Sequence, residues 1–334
     1  MNSQFDPRLD LEPALLTSFH WGQFDILPSF TMHETWYGQQ LGPATATVLT
    51  NALNRKAPEV KIDFVLPPIE KIYNKKTFLG DKLKHVIEPR LVYDYVTGVN
   101  DYLNTLRFDQ IDLLSDTNEL EIGLTNRLYA KRGNTVTEVF TWELYQKRYF
   151  NPTFGGAVVA GQRNVVWSEI DLTGYDFLNG PRNYSPIVSI LRSSPRPGLG
   201  FEWETDYDPV YHRITNSLLA IDYRIKHYFF SAGQSTVNTD PIVTAPANQV
   251  RASLGYGDPN RKGWNTALSS VYDFREHKLQ FAIAQVTYNT DCCGLSVELR
   301  RINIGLRDDT QYLVAFSIAN IGTFGNLKKQ ERLF

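Results

Sequence analysis

The chain has 334 residues and a formal net charge of −2 with neutral histidines. That balance excludes the strongly basic surface of a nucleic-acid-binding protein, so no nucleic-acid partner is expected. Hydrophobic residues make up 42% and aromatic residues 13%, which favours many Tyr- and Phe-bearing strands over a helical enzyme. The sequence contains no run of about 18 apolar residues, so it does not predict a transmembrane helix.

Apolar and polar residues alternate along most of the chain, so they fall on opposite faces of the predicted strands. In chain order the apolar rows are Leu9, Leu11, Pro13 and Leu15, then Leu91, Tyr93 and Tyr95, then Leu120, Ile122, Leu124 and Leu128, then Leu199, Phe201, Trp203, Thr205 and Tyr207, and finally Leu295, Val297 and Leu299. The clearest polar row is acidic and consists of Glu202, Glu204, Asp206 and Asp208. Such a face cannot pack in a dry core.

The pattern predicts roughly 15 strands, near residues 8–20, 24–37, 60–73, 84–96, 117–131, 135–149, 185–193, 199–208, 211–223, 226–234, 249–256, 263–274, 278–289, 294–304 and 311–323. Many are about 9 to 14 residues long, which suits a tilted strand crossing a bilayer. Short turns at 21–23, 131–134 and 290–291 alternate with long connections at 38–58, 97–116, 150–184 and 235–248. That alternation is typical of outer-membrane barrels.

The predicted fold class is therefore all-β, an antiparallel transmembrane β-barrel of which this chain forms an incomplete portion. Aromatic residues near strand ends would form the girdles at the two membrane interfaces; they are Trp21, Trp36, Tyr37, Tyr149, Phe150 and Tyr207. Apolar and polar residues also alternate along the strands of soluble β-sandwiches and propellers, where the polar face meets water. A soluble or surface β-rich module that binds carbohydrate is the alternative reading.

Cys292 and Cys293 are the only cysteines, and they are adjacent in the chain. Neighbouring cysteines rarely bond to each other, because the ring that they close is strained. The pair either stays reduced or bonds to another chain or to a segment that precedes this one.

Catalytic and metal-binding patterns are not apparent. The six histidines show no paired metal spacing, and neither a G-x-S-x-G motif nor a glycine-rich phosphate loop occurs. Glu202 and Glu204 could act as an acid and base pair, but acidic rows line many barrel interiors. We therefore predict no catalytic residue, no metal and no cofactor.

Four segments resemble the C-terminal barrel of the LptD family, the outer-membrane lipopolysaccharide-assembly proteins. They are Asp81–Arg90 (DKLKHVIEPR), Thr117–Arg132 (TNELEIGLTNRLYAKR), the turn that holds Cys292 and Cys293, and Tyr312–Phe324 (YLVAFSIANIGTF). The resemblance runs from about residue 60 to the end and is looser before that. The vicinal cysteines before the penultimate predicted strand are its most specific element.

The resemblance implies a barrel of about 26 strands preceded by a periplasmic jellyroll. Residues 1–334 would then be the C-terminal portion, without the jellyroll and the first barrel strands. It also implies that Cys292 and Cys293 form disulfides with cysteines of that N-terminal part in the oxidising periplasm.

The mechanism that the resemblance implies is physical, namely the passage of lipopolysaccharide into the outer leaflet through a lateral gate of the outer-membrane barrel. Tyr312 to Phe324 would be the closing strand of the gate, with Tyr312, Val314, Phe316, Ile318 and Phe324 as its residues. Glu202, Glu204, Asp206 and Asp208 would line the lumen as a hydrated wall. The implied partners are lipopolysaccharide, the plug lipoprotein LptE, the periplasmic bridge protein LptA and the lipid bilayer.

Overall fold

A computed structural model describes residues 7–42, 47–173, 178–258, 261–318 and 321–327 of the chain. The first strands are β1 (Arg8–Leu11), β2 (Ala14–Leu16), β3 (Phe19–Trp21), β4 (Phe24–Tyr37), β5 (Gln40–Leu41), β6 (Val48–Leu49), β7 (Leu53–Val65), β8 (Ile69–Tyr73), β9 (Lys82–Val96), β10 (Thr117–Arg132) and β11 (Thr135–Tyr149). The later strands are β12 (Ile187–Arg196), β13 (Leu199–Asp208), β14 (Arg213–Ile225), β15 (Tyr228–Val237), β16 (Ala247–Tyr256), β17 (Gly263–Asp273), β18 (Lys278–Asn289), β19 (Cys293–Ile304), β20 (Arg307–Ile318) and β21 (Gly322–Gly325). Among the described residues, helical segments are confined to the connections: the 3₁₀ turns Tyr102–Asn104, Gln110–Leu113 and Phe154–Gly156, and the helix α1 (Trp167–Thr173).

In the part of the chain that the structure describes, nineteen strands form one large sheet in which neighbouring strands run antiparallel. From β9 to β21 each strand pairs with the next one along the chain. The outer strands are β1–β3 at one edge and β21 at the other, and among the described residues these two edges do not pair. The prediction of an antiparallel all-β fold is confirmed, and the sheet is open in this chain.

Two predicted strands are interrupted. β1, β2 and β3 pair in turn with β4, and β7 and β8 both pair with β9. Pro13 separates β1 from β2, and Pro67 and Pro68 separate β7 from β8. Proline has no N–H to donate, so the ladder of hydrogen bonds breaks at these positions.

The C-terminal strand differs from the prediction. The sequence predicts one strand over 311–323, but the chain turns after Ile318 and returns as β21, which places Phe324 opposite Phe316. The N–H of Ile321 donates to the carbonyl of Ile318, and Gly322 has a φ of +149°. The 19 described strands occupy 16 positions across the sheet, because β1–β3 share one position and β7 and β8 share another. The sequence predicts 15 strands, and the additional position is that of β21.

The connections divide the molecule into two ends. One, here the short-turn end, carries the turns at 22–23, 133–134, 197–198, 226–227 and 290–292, together with the longer connections at 74–81 and 257–262. The other, here the long-loop end, carries the connections at 38–52, 97–116, 150–186 and 238–246, together with three short turns between later strands. The predicted alternation is therefore observed at 22–23, 38–52, 97–116, 133–134 and 150–186, whereas the connection at 74–81 and the short turn at 209–212 depart from it. None of the helices in the described residues is long and apolar enough to cross a membrane.

The sheet exposes its apolar side chains and buries many of its polar ones, which is the reverse of a soluble protein. On β13, Trp203 and Tyr207 are exposed, whereas Asp206 and Asp208 are buried. We call the face of Asp206 the inner face and that of Trp203 the outer face. The same division recurs on β17, where Leu268 is 50% exposed and Ser269 is buried, and on β19, where Val297 is exposed and Glu298 is buried. A soluble sandwich would bury its apolar rows, so the exposed outer face argues against that alternative.

Candidate functional site

The predicted acidic row lies on the inner face of β13, on alternate residues of one strand. Its four carboxylates run from Glu202, nearer the short-turn end, to Asp208 at the long-loop end. Their surroundings change along the strand. Glu202 accepts a 3.0 Å hydrogen bond from Arg192, and both side chains are about half exposed.

Asp206 and Asp208 are buried. The Oδ2 atom of Asp206 accepts a 3.3 Å hydrogen bond from the Asn216 amide. Arg182 binds both oxygens of Asp208 at 2.9 Å, and the N–H groups of Val210 and Tyr211 also donate to Asp208. The expectation of a hydrated wall is therefore wrong at Asp206 and Asp208, which are both buried; the loop that carries Arg182 covers Asp208.

Three arginines extend the polar inner face across neighbouring strands. Arg90 on β9 pairs with Asp63 on β7, with its Nε 3.0 Å from Oδ1. Arg127 on β10 pairs with Glu88 at 2.9 Å and Glu138 at 3.1 Å. Arg192 on β12 lies 3.4 Å from Glu143 as well as contacting Glu202. The wall therefore offers donors and acceptors of both charges to a hydroxyl-rich or charged molecule.

The long loops fold against the inner face at the long-loop end. A buried apolar cluster joins the strands to these loops; its members are Ala57, Val96, Val99, Tyr102, Tyr149, Phe154, Ala157, Val158, Val166 and Leu178. Lys147 holds α1 there, since its Nζ lies 2.9 Å from Glu119 and donates to the carbonyl of Ser168 at 2.9 Å. The hydroxyl of Tyr149 donates to Glu169 of α1.

A second anchor fixes the loop 97–116. Asp112 is fully buried and accepts hydrogen bonds from Arg8 at 3.0 Å, from the hydroxyl of Tyr37 at 2.6 Å and from the N–H of Phe108 at 2.7 Å. Asp109 caps the 3₁₀ turn by accepting from the N–H of Ile111. Its pKa is lowered chiefly by the hydrogen bond from Arg8. The sequence analysis missed these anchors; the Asp109-Gln-Ile-Asp112 capping box was the available local signal.

The residues predicted for the aromatic girdle differ in exposure, and the prediction is wrong for the two that are buried. Trp21, Trp36, Phe150 and Tyr207 are exposed, but Tyr37 and Tyr149 are buried under the loops. Trp36 and Tyr37 are consecutive in one strand, as are Tyr149 and Phe150 around the end of β11. Consecutive strand residues point to opposite faces, so both members of such a pair cannot face the same medium.

The residues predicted for the closing strand occupy one edge of the sheet. Tyr312, Val314, Phe316 and Ile318 share the outer face of β20, and Phe324 lies beside Phe316 on β21. The short β21 covers only the last part of β20. Beyond it the side chain of Asn326 accepts from the N–H of Val314 at 2.6 Å and donates to the carbonyl of Tyr312 at 3.2 Å, which satisfies part of the remaining edge.

Cys292 and Cys293 lie at the short-turn end, in the turn from β18 to β19. Both are free thiols and contact each other, and Cys292 is exposed. The Cys293 thiol and then the Thr290 hydroxyl lower the pKa of Cys292 by hydrogen bonding. Within the described residues no group of three or more His, Cys, Asp or Glu side chains is placed to hold a metal ion.

Comparison with known proteins connects this arrangement to one family. Residues 2–257 match the family model described as LptD: LPS transport system D. The chain is also 22% identical over 334 residues to the LPS-assembly protein LptD of Coxiella burnetii (strain RSA 493 / Nine Mile phase I), with 90% of the chain aligned. The alignment spans 35% of that relative's length. The family-model match covers β1 to β16 and ends before the cysteine turn and β20.

Proposed function

We propose that this chain, which belongs to the LptD family, forms later strands of an outer-membrane barrel that carries lipopolysaccharide into the outer leaflet. The observation that carries the proposal is the inverted distribution of side chains: Trp203, Leu268 and Val297 are exposed on the outer face, while Glu298 and Asp206 are buried on the inner face. Hydrocarbon can solvate the outer face, and a wet lumen can solvate the inner one. An amphipathic glycolipid needs both media.

The two ends suggest the orientation. In outer-membrane barrels the short turns face the periplasm and the longer loops face outward. Cys292 and Cys293 would then face the oxidising periplasm. We propose that they pair there with cysteines of a preceding periplasmic part, consistent with the longer relative. Residues 1–334 would be the C-terminal barrel portion of such a protein.

The open edge supports a lateral exit. Tyr312, Val314, Phe316 and Ile318 would face lipid at the gate, with Phe324 on the short strand beside them. An unpaired edge is costly in hydrocarbon, so a pairing with another strand must close it, and weak pairing would permit opening. We propose LptE as the plug in the lumen and LptA as the periplasmic donor of lipopolysaccharide.

The inner wall supports passage of the sugar portion. Glu202 and Glu204 on β13, Arg192 on the neighbouring β12 and Arg127 further along the sheet on β10 present carboxylates and guanidinium groups on half-buried side chains. The hydroxyl groups of a sugar can form hydrogen bonds with successive side chains of such a wall without binding tightly at any one of them. We propose a transport function without a catalytic residue or cofactor.

Photo-crosslinking tests this function in the protein produced from its natural reading frame. A photoreactive benzoylphenylalanine replaces Glu204 on the inner face or, as the matched control, Tyr228 on the outer face at the short-turn end. Cells with pulse-labelled lipopolysaccharide should yield an adduct at position 204, and position 228 should capture phospholipid. Absence of lipopolysaccharide at 204, in a protein that folds and reaches the outer membrane, would contradict the transport proposal.

A further inference from the structure

Arg148 occupies an unusual position for a cation. It is the penultimate residue of β11, at the long-loop end, and it lies on the outer face between the inward-facing Lys147 and Tyr149. Its side chain is exposed. The neighbouring inner-face cations Lys147 and Arg182 each have a carboxylate partner, Glu119 and Asp208. Among the described residues Arg148 has neither an ion pair nor a side-chain hydrogen bond.

Two aromatic rings hold the guanidinium of Arg148. Its Cζ lies 5.3 Å from the ring centroid of Phe150 and 5.8 Å from that of Tyr184, and both rings are exposed. Tyr184 is fixed against β11 by an isolated bridge to Arg148, by the hydrogen bond from the N–H of Tyr149 to Asn183 and by that from Ser185 to Lys147. The rings restrain the guanidinium through cation–π contacts, which reduces the entropy lost when it binds a ligand.

We propose that Arg148, Phe150 and Tyr184 form a binding site for the phosphate of a phosphorylated glycolipid in the outer leaflet. The inference rests on the proposed function, because that function places the long-loop end at the outer surface. A guanidinium offers a planar fork that matches phosphate oxygens. The Tyr184 ring is amphipathic and the Phe150 ring is apolar, and such side chains are suited to the interface between headgroups and acyl chains.

A second exposed cation–π pair on the outer face provides a control for the leaflet. Lys71 lies 5.3 Å from the ring centroid of Tyr73 on β8, at the short-turn end. If the proposed orientation is right, Lys71 faces the inner leaflet and Arg148 faces the outer one. Both residues are exposed cations that contact an aromatic ring, and they differ in the leaflet that they meet; Lys71 also lacks the guanidinium and the second ring of Arg148.

Native mass spectrometry of the natural full-length protein in lipid nanodiscs tests the site. The nanodiscs contain phosphatidylcholine with either diphosphoryl lipid A or its dephosphorylated form. We expect Arg148→Gln to reduce retained diphosphoryl lipid A by about fivefold, and Arg148→Lys to reduce it less. Lys71→Gln should leave it unchanged. Binding of dephosphorylated lipid A should not depend on residue 148, and millimolar inorganic phosphate should not compete.

The outcomes separate the two proposals. Equal retention by the Arg148→Gln variant and the unchanged protein would overturn the glycolipid site while leaving the crosslinking result at position 204 intact. Full competition by inorganic phosphate would also overturn it, in favour of a soluble-anion site. Loss of lipid A on Lys71→Gln alone would overturn both the site and the orientation. Heat-modified mobility in electrophoresis verifies that each variant is folded.

Discussion

Ion pairs of similar chemistry differ along β13 because their surroundings differ. Arg182 and Asp208 have side chains that are only 8% and 2% exposed, whereas Arg192 and Glu202 are 49% and 41% exposed. Water screens the second pair and competes for its hydrogen bonds, so its net contribution to stability is small. Arg182 and Asp208 have lost their hydrating water and contact each other directly, so loss of one partner leaves the charge of the other buried.

Replacement of Asp208 should therefore be far more costly than replacement of Glu202. We expect Asp208→Asn to lower the free energy of unfolding by about 3 kcal/mol or more, since Arg182 stays buried without a counter-ion. The matched Glu202→Gln change should cost less than about 1 kcal/mol. Guanidinium chloride unfolding in lipid vesicles measures both values. Similar losses in the two variants would mean that the loop does not bury Arg182.

The thiol of Cys292 should react at lower pH than an ordinary cysteine. Hydrogen bonds from Cys293 and Thr290 lower the pKa of Cys292, and the thiolate is the reacting form. The pH at which alkylation by N-ethylmaleimide reaches half its maximal rate should therefore be lower in the reduced protein than in an unfolded peptide that contains Cys292, as followed by mass spectrometry. Thr290→Val should raise that pH. An unchanged profile in this variant would rule out the hydroxyl as a cause.

At the scale of elements, two-residue turns join several pairs of strands at the short-turn end. Gly133 and Gly198 occupy such turns with φ values of +58° and +81°, which glycine adopts without a steric penalty. Their surroundings differ. A Cβ at Gly133 would meet nothing within 4 Å, whereas a Cβ at Gly198 would overlap the carbonyl oxygen of Arg224 on the neighbouring strand.

Alanine substitutions separate the backbone strain from the steric overlap. Gly133→Ala should lower the free energy of unfolding by about 1 kcal/mol through its left-handed backbone alone. Gly198→Ala adds the overlap with Arg224 and should cost about 3 kcal/mol or more. The comparison uses the same unfolding assay in vesicles. Equal costs at both turns would show that β14 moves away without a penalty.

The sequence predicts elements well where alternation is strict, and poorly where tertiary contacts decide. Leu199 to Asp208 alternates without interruption, and its predicted bounds agree with β13. Tyr312 to Phe324 reads as one apolar strand because alternation alone does not reveal the turn that precedes Gly322. The loop anchors could not be predicted, since Arg182 and Asp208, or Arg8 and Asp112, meet only after the sheet has formed.

At the scale of the whole molecule, the exposed apolar face and the buried polar face require different solvents. An open sheet with two unpaired edges also requires further strands in hydrocarbon. Loop anchors on β1, β4, β10, β11 and β13 close the long-loop end around part of the inner face. The polar wall around Glu202 and Arg192 stays accessible beyond this covered region. These properties suit a barrel that separates a lipid-facing exterior from a wet interior.

Accessibility to lipid along β13 tests this account most directly. In the natural full-length protein with Cys292, Cys293 and every other native cysteine replaced by serine, a spin label is placed in turn at residues 201 to 205, and the labelled protein is studied in lipid bilayers. Electron paramagnetic resonance should show oxygen accessibility that is high at 201, 203 and 205, and accessibility to a water-soluble nickel chelate that is high at 202 and 204. High chelate accessibility at 201, 203 and 205 with high oxygen accessibility at 202 and 204, or high chelate accessibility at every position, would contradict an apolar exterior around a wet lumen.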